Sequence, residues 1–140
     1  MPKNVLILCT GNSCRSQMAQ VIWQELGDGN WTSCSAGSKP SGYVHPLAIE
    51  AITELGYEAN NLTSKPISDI DFSNVDLAVT VCDNAKENCP ILPAKIETLH
   101  WPLDDPADAV GSHEEKMLVF RQVRDEIQNR IKEYIGDQNA

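Results

Sequence analysis

The sequence predicts an α/β domain, a three-layer sandwich around a four-stranded parallel sheet. Three observations lead there. Short, continuous apolar runs such as Val5-Leu6-Ile7-Leu8 have the pattern of strands buried on both faces. These runs alternate with segments of helical period, and strands that alternate with helices imply a parallel sheet with right-handed crossovers. The chain has 140 residues with no repeat, low-complexity tract or linker, which suits a single domain over residues 1–140.

The elements follow in order. Residues 5–8 form the first strand. After a polar loop a helix begins near Cys14, with Met18, Val21, Ile22 and Leu26 on one face and Gly27 at its end. Residues 31–35 form a second strand and 37–42 a loop. Pro46 starts a second helix with Ile49, Ile52 and Leu55 inward and Gly56 as its stop. Residues 60–72 read as loop with room for one short helix, and 75–81 as a third strand. The polar stretch 83–88 suits a short helix closed by Pro90. Residues 96–101 form the last strand. Ser112 and Glu115 make a capping box for the final helix, which carries Phe120, Val123, Ile127, Ile131 and Tyr134 on one face. The tail after Gly136 is expected to fray. Trp23, Trp31 and Trp101 read as packing residues.

Composition narrows the partners. Apolar residues make up 41% of the chain, and the formal net charge is −9. An acidic chain repels nucleic acid and anionic lipid, so neither is expected as a partner. The same charge repels an oxyanion, so any anion site must be made locally positive. No apolar run is long enough to span a membrane, and the N-terminus lacks a basic-then-apolar leader pattern, so a cytoplasmic protein is expected. Its five cysteines are then reduced at rest. Their spacings, C-x4-C and C-x6-C without a close C-x2-C pair, argue against structural zinc. His45, His100 and His113 share no spacing, so neither a metal site nor histidine catalysis is expected.

The chemistry concentrates in residues 9–16, Cys9-Thr10-Gly11-Asn12-Ser13-Cys14-Arg15-Ser16, between a buried strand and a helix start. Ligands of open parallel sheets bind beyond the carboxyl ends of the strands, where helix N-termini offer amide donors and a positive dipole end. A cysteine there is favoured as thiolate, the nucleophilic form. Arg15 supplies a planar fork for two oxygens of an anion. Gly11 is expected to take the positive backbone torsion of a tight anion nest. Asn12 and Ser16 can pin the loop, and the Ser16 hydroxyl can donate to the Cys9 sulfur. Read alone, Cys9 and Arg15 could instead be a strand-end cysteine and a surface arginine. Their placement is what favours nucleophilic attack on an oxyanion.

This loop, together with Ser35-Ala36-Gly37 and Asp105-Pro106 in the expected order, resembles the low-molecular-weight protein tyrosine phosphatase superfamily over nearly the whole chain. The resemblance implies Cys9 as nucleophile, residues Thr10, Gly11, Asn12, Ser13, Cys14, Arg15 and Ser16 around the anion, and Arg15 as the oxyanion clamp. It further implies Asn12, Ser16 and Ser35 as loop support and Asp105 as general acid. Asp105 makes chemical sense: a departing oxygen needs a proton, and a bound anion raises the pKa of a neighbouring carboxylic acid. Without the resemblance an N-cap or turn aspartate is an equal reading, as Asp104 next door illustrates. Cys14 and Cys34 read as loop and core residues, Cys14 with scope for a side reaction.

Cys82 and Cys89 separate the branches of that superfamily. Ester hydrolysis has no use for them, whereas reducing arsenate to arsenite takes two electrons and one disulfide supplies two. Two small buried residues would be the bland reading. The pair is similar to that of thioredoxin-coupled arsenate reductases. That similarity implies a Cys9 adduct with arsenate, then a Cys9–Cys82 and a Cys82–Cys89 disulfide, with electrons from reduced thioredoxin and no bound cofactor. Asp105-Pro106 is followed by Ala107, Asp108 and Ala109, which offer little to an aryl group. A monomer is expected. The alternatives are a small tyrosine or general phosphatase and a non-enzymatic thiol redox sensor. Some related reductases hold potassium behind this loop with acidic side chains. The matching positions here are Gln20 and Lys65, so Lys65 is expected to replace the metal near Asn12 and Ser35.

Overall fold

A computed structural model describes residues 2–59, 61–82, 92, 93 and 95–138. Four parallel strands, β1 (Lys3–Cys9), β2 (Trp31–Gly37), β3 (Leu77–Thr80) and β4 (Glu97–His100), form one sheet in the order β2-β1-β3-β4. The described helices are α1 (Arg15–Leu26), α2 (Pro46–Glu54) and α3 (His113–Gln138), joined by short 3-10 turns at Ile67–Asp69, Phe72–Asn74 and Pro106–Asp108. The predicted four-stranded parallel sheet is therefore present. The short helix expected over 83–88 and its Pro90 stop lie outside the described residues.

β1 is the centre of the sheet because its apolar run is buried on both faces. Val5, Ile7 and Cys9 face the main core shared with Met18, Ile22, Ala48, Ile52, Phe120 and Ile127 from the three helices. Leu6 and Leu8 face the other way, with Ala36, under Ile67, Ile70, Phe72 and Val75. Each such buried aliphatic side chain is worth about 1.5–3 kcal/mol. A register slip of one residue would turn Cys9 to the wrong face, so the pattern that stabilises β1 also aims the thiol. Cys9 pairs with Gly37, and Leu8 with Thr80. β2 and β3 flank β1 on opposite sides, which makes its carboxyl end the topological switch point of the sheet.

Several boundaries differ from expectation for physical reasons. α1 stops at Gly27, whose φ is −70°. Space is the constraint there, since an added Cβ would lie 2.8 Å from the Trp23 carbonyl oxygen and 2.8 Å from Trp31 Cβ. α2 buries Ala48, Ala51 and Ile52, while Ile49 is exposed; the inward face is rotated from the one expected. β3 and β4 are shorter than predicted, yet their pairing runs on through Val81 N–H to Leu8 O (2.9 Å), Trp101 N–H to Thr80 O (2.8 Å) and Leu103 N–H to Val81 O (3.2 Å). The capping box of α3 is formed in both directions, Ser112 N–H to Glu115 Oε1 and Glu115 N–H to Ser112 Oγ, each at 3.2 Å. α3 runs two residues past Gly136, to Gln138. Trp101 stacks on Trp23 at 5.8 Å, and Trp31 and Tyr134 close the aromatic cluster.

Candidate active site

Residues 10–14 leave the end of β1 and feed α1. Their carbonyl groups are bonded outward to the neighbouring loop: Thr10 O accepts from Lys39 N–H (2.9 Å), Gly11 O from Ser41 N–H (2.9 Å) and Ser13 O from His45 N–H (3.0 Å). Ser38 N–H reaches Cys9 O at 3.3 Å. Bonding the carbonyls outward turns the concave side of the loop toward its donors, the geometry of an anion nest. The positive torsion belongs to Asn12 (φ 49°), not to Gly11. Asparagine tolerates the left-handed region, and here its side chain is locked in place. Lys65 N–H donates to Asn12 Oδ1 (2.9 Å), while Asn12 Nδ2 donates to Ser16 Oγ (2.7 Å) and Ser35 Oγ (3.0 Å).

Cys9 is buried; Asn12 N–H donates to its sulfur at 3.2 Å, and the Ser16 hydroxyl lies within hydrogen-bond reach of it at 2.9 Å. Arg15 is buried at the start of α1, and its Nη1 donates to the Leu103 carbonyl at 3.1 Å, which fixes the plane of the fork. Its Nη2 lies 3.6 Å from Asp105 Oδ2. Asp105 is also the N-cap of the 3-10 turn at Pro106–Asp108, where Oδ1 accepts Ala107 N–H at 3.0 Å. One Asp105 oxygen thus serves the cap, and the other faces Arg15. Arg15 sets a guanidinium beside the Asp105 carboxyl at the start of the helix that follows the Cys9 loop. Together with the Cys9 thiol, that set can bind a tetrahedral oxyanion, attack its centre and protonate the oxygen that leaves.

The other cysteines divide clearly. Cys14 is buried, and burial pushes its thiol up to about 12, so it is a poor candidate for the side reaction expected of it. Cys34 is half-buried on β2, and its thiol is also raised by burial. Cys9, Cys14 and Cys34 are free thiols, whereas Cys82 is in a disulfide. Cys82 follows directly on Val81, whose amide bonds Leu8, so its chain leaves the sheet alongside that of Cys9. Cys89 lies outside the described residues.

Behind the loop, Ser35 Oγ donates to Gln20 Oε1 at 2.6 Å, and Lys65 Nζ donates to the Thr63 carbonyl at 3.2 Å. Lys65 thus supports Asn12 through its backbone and places its ammonium on Thr63, not on Asn12 or Ser35. Burial lowers the Lys65 pKa. An uncharged Gln20, already engaged by Ser35, and an ammonium already on a carbonyl do not fit a resident monovalent cation. Among the described residues no cluster of three metal-ligating side chains is present, and no helix is long and apolar enough to cross a membrane.

Sequence reasoning missed the residues that brace the loop from a distance. Gly37 is one: a Cβ there would lie 2.5 Å from the Thr10 carbonyl oxygen and 3.0 Å from Asn12 Cβ. Gln17 is another, buried and donating from Nε2 to the carbonyls of Asn12 and Thr63, both at 2.9 Å. The Gly in Ser35-Ala36-Gly37, beside a strand end, was the one available signal.

Comparison with known proteins agrees with this geometry. An arsenate reductase of Bacillus subtilis (strain 168) is 47% identical over 134 residues, covering 94% of each chain. An arsenate reductase solved in its phosphate binding state superimposes with a TM-score of 0.80 at 31% identity, covering 96% of this chain and 98% of that one. A thioredoxin-dependent arsenate reductase of Corynebacterium glutamicum gives 0.74 at 26% identity, covering 97% and 61%. The model of the low molecular weight phosphotyrosine protein phosphatase family matches residues 4–139, and the chain belongs to that family.

Proposed function

We propose that this protein is an arsenate reductase that draws its electrons from thioredoxin. The observation that carries the reading is a pair of thiol centres at one end of the sheet. Cys9 sits in an anion loop with Arg15 and Asp105, and Cys82, in a disulfide, follows the adjacent strand. The relatives named arsenate reductase and the thioredoxin-dependent neighbour support it.

The cycle has three displacements. Cys9 thiolate attacks arsenate and an As–O bond breaks; Arg15 and the loop amides hold the remaining oxygens while Asp105 protonates the departing oxygen, which leaves as water. Cys82 thiolate then attacks the Cys9 sulfur. The S–As bond breaks with its electron pair passing to arsenic, so arsenic(V) becomes arsenic(III), arsenite departs and a Cys9–Cys82 disulfide remains. Cys89 attacks the Cys82 sulfur, Cys9 leaves as thiolate, and Cys82–Cys89 forms. The dithiol of reduced thioredoxin reduces that bond and is itself oxidised. A Cys82 disulfide that leaves Cys9 free is the arrangement this last displacement yields.

The test is arsenate-dependent NADPH oxidation with thioredoxin and thioredoxin reductase. Turnover that requires arsenate is expected. Hydrolysis of a phosphate ester without arsenate turnover would favour a phosphatase, a reading that Ala107 and Ala109 after Asp105-Pro106 disfavour. Oxidation of Cys82 with neither activity would indicate a redox sensor.

A further inference from the structure

We propose that Gln20 is a positioning residue for the nucleophile: its side-chain carbonyl ends a hydrogen-bond relay, through Ser35, Asn12 and Ser16, that directs the Ser16 hydroxyl proton onto the Cys9 sulfur. The inference rests on Cys9 being the nucleophile. It follows from counting protons. Lys65 N–H on Asn12 Oδ1 decides which way the Asn12 amide faces, so Nδ2 is the atom that meets both serines. An amide nitrogen has two hydrogens and a serine hydroxyl has one. Ser16 accepts one Asn12 hydrogen at 2.7 Å, so its own proton is free to go to Cys9 Sγ at 2.9 Å. Ser35 accepts the other Asn12 hydrogen at 3.0 Å and must send its proton elsewhere; it goes to Gln20 Oε1 at 2.6 Å.

Gln20 is well placed for this. It stands one helical turn beyond Ser16 on α1, on the same face. Its backbone carbonyl accepts the Ser33 hydroxyl at 2.6 Å, and Ser33 N–H is held by Gln24 Oε1 at 3.0 Å, which ties this turn of α1 to β2. Without an acceptor at position 20, the Ser35 proton turns back toward Asn12 and opposes the amide hydrogen there. The Asn12–Ser16 bond then weakens, and with it the donation that stabilises a charged sulfur.

The experiment measures alkylation of Cys9 by iodoacetamide as a function of pH in the full, reduced protein, read by mass spectrometry of the Cys9 peptide. Gln20→Met keeps the length and helix propensity but lacks a comparable acceptor. It should move the profile to higher pH and slow the reaction at neutral pH by about three- to tenfold, the equivalent of half to one pH unit. Gln20→Glu restores the acceptor but adds a partly buried negative charge; it should react faster than Gln20→Met, though not at the wild-type rate. Ser35→Ala should shift the profile as Gln20→Met does, and the double variant should shift it no further. A wild-type profile in folded Gln20→Met, or equal slowing by Met and Glu, would overturn the relay. If Gln20→Met does not fold, a wild-type profile in Ser35→Ala overturns it instead. Failure of phosphate to protect Cys9 in the wild type would overturn the nucleophile reading, and the inference with it.

Discussion

The two halves of the active site are built differently. The anion loop is rigid: Asn12 and Ser16 are buried, the carbonyls of Thr10, Gly11 and Ser13 are each bonded to the neighbouring loop, and Arg15 is 2% exposed. The acid loop is held more lightly. Asp105 is 31% exposed, it meets Arg15 only at 3.6 Å, and Val110 a few residues on is 85% exposed. A site that must recognise a tetrahedral anion benefits from donors fixed in advance, because no reorganisation is then needed as charge develops. A general acid must approach a leaving oxygen and withdraw, so a carboxyl on a loosely tethered loop suits that task.

This contrast predicts different failures. Arg15→Lys removes the planar fork from the rigid half and should cost about 10²–10³ in kcat/KM for an activated phosphate ester and weaken anion binding with it. Asp105→Asn should cost about 10² in kcat, the low end for loss of a general acid, yet leave anion binding intact or tighter, since the carboxylate facing Arg15 is gone. Steady-state kinetics and phosphate titration of both variants separate the two effects. Weakened binding in Asp105→Asn would break the comparison.

The same contrast explains what could be read from the chain. Cys9 and Arg15 stood out in the chain because a nucleophile and a fork have few substitutes and a strand end followed by a helix start places them, whereas Asp105 was distinguished from a cap or turn aspartate only by the family resemblance. The supports were legible only in part: the resemblance placed Ser35, Gln20 and Lys65 behind the loop, but Gln17, the tight space at Gly37 and the Leu103 carbonyl act across long sequence separations through backbone atoms or neutral side chains, and such groups carry no compositional mark. The torsion assigned to Gly11 belongs to Asn12 because side-chain bonds to Lys65, Ser16 and Ser35 hold the asparagine there. Ile49 was placed inward because period alone does not set the phase of a short helix whose buried face is largely alanine.

A second prediction sharpens the rigidity of the anion loop. Gly37→Ala forces a Cβ within 2.5 Å of the Thr10 backbone oxygen, which cannot rotate away. It should destabilise the protein by about 1–3 kcal/mol and lower affinity for phosphate. Gly136→Ala, in the last turns of α3 with nothing within 4 Å, should be neutral or stabilising by up to ~1 kcal/mol. Thermal melts of the two variants with and without phosphate read both effects.

The smallest expected effect lies away from the site, between α2 and α3. Hydrogen bonds from Arg121 and Arg124 hold the Glu54 carboxyl down to about 2. Because the folded value is depressed, the pair stabilises the fold above the ordinary carboxylate range. That contribution is lost as pH falls from about 4.5 toward about 2. Glu54→Gln should flatten this part of the stability curve while leaving neutral-pH anion binding unchanged; an unchanged acid limb would remove the pair from the account.

In the proposed cycle Cys9 alone makes the arsenic adduct, and Cys82 is needed to release arsenite. A single-turnover measurement of arsenite release by Cys82→Ser, beside hydrolysis of an activated phosphate ester by the same protein, tests it most directly. The expected result is ester hydrolysis close to wild type, abolished in Cys9→Ser, together with no arsenite released from arsenate. Steady arsenite production by Cys82→Ser would contradict it.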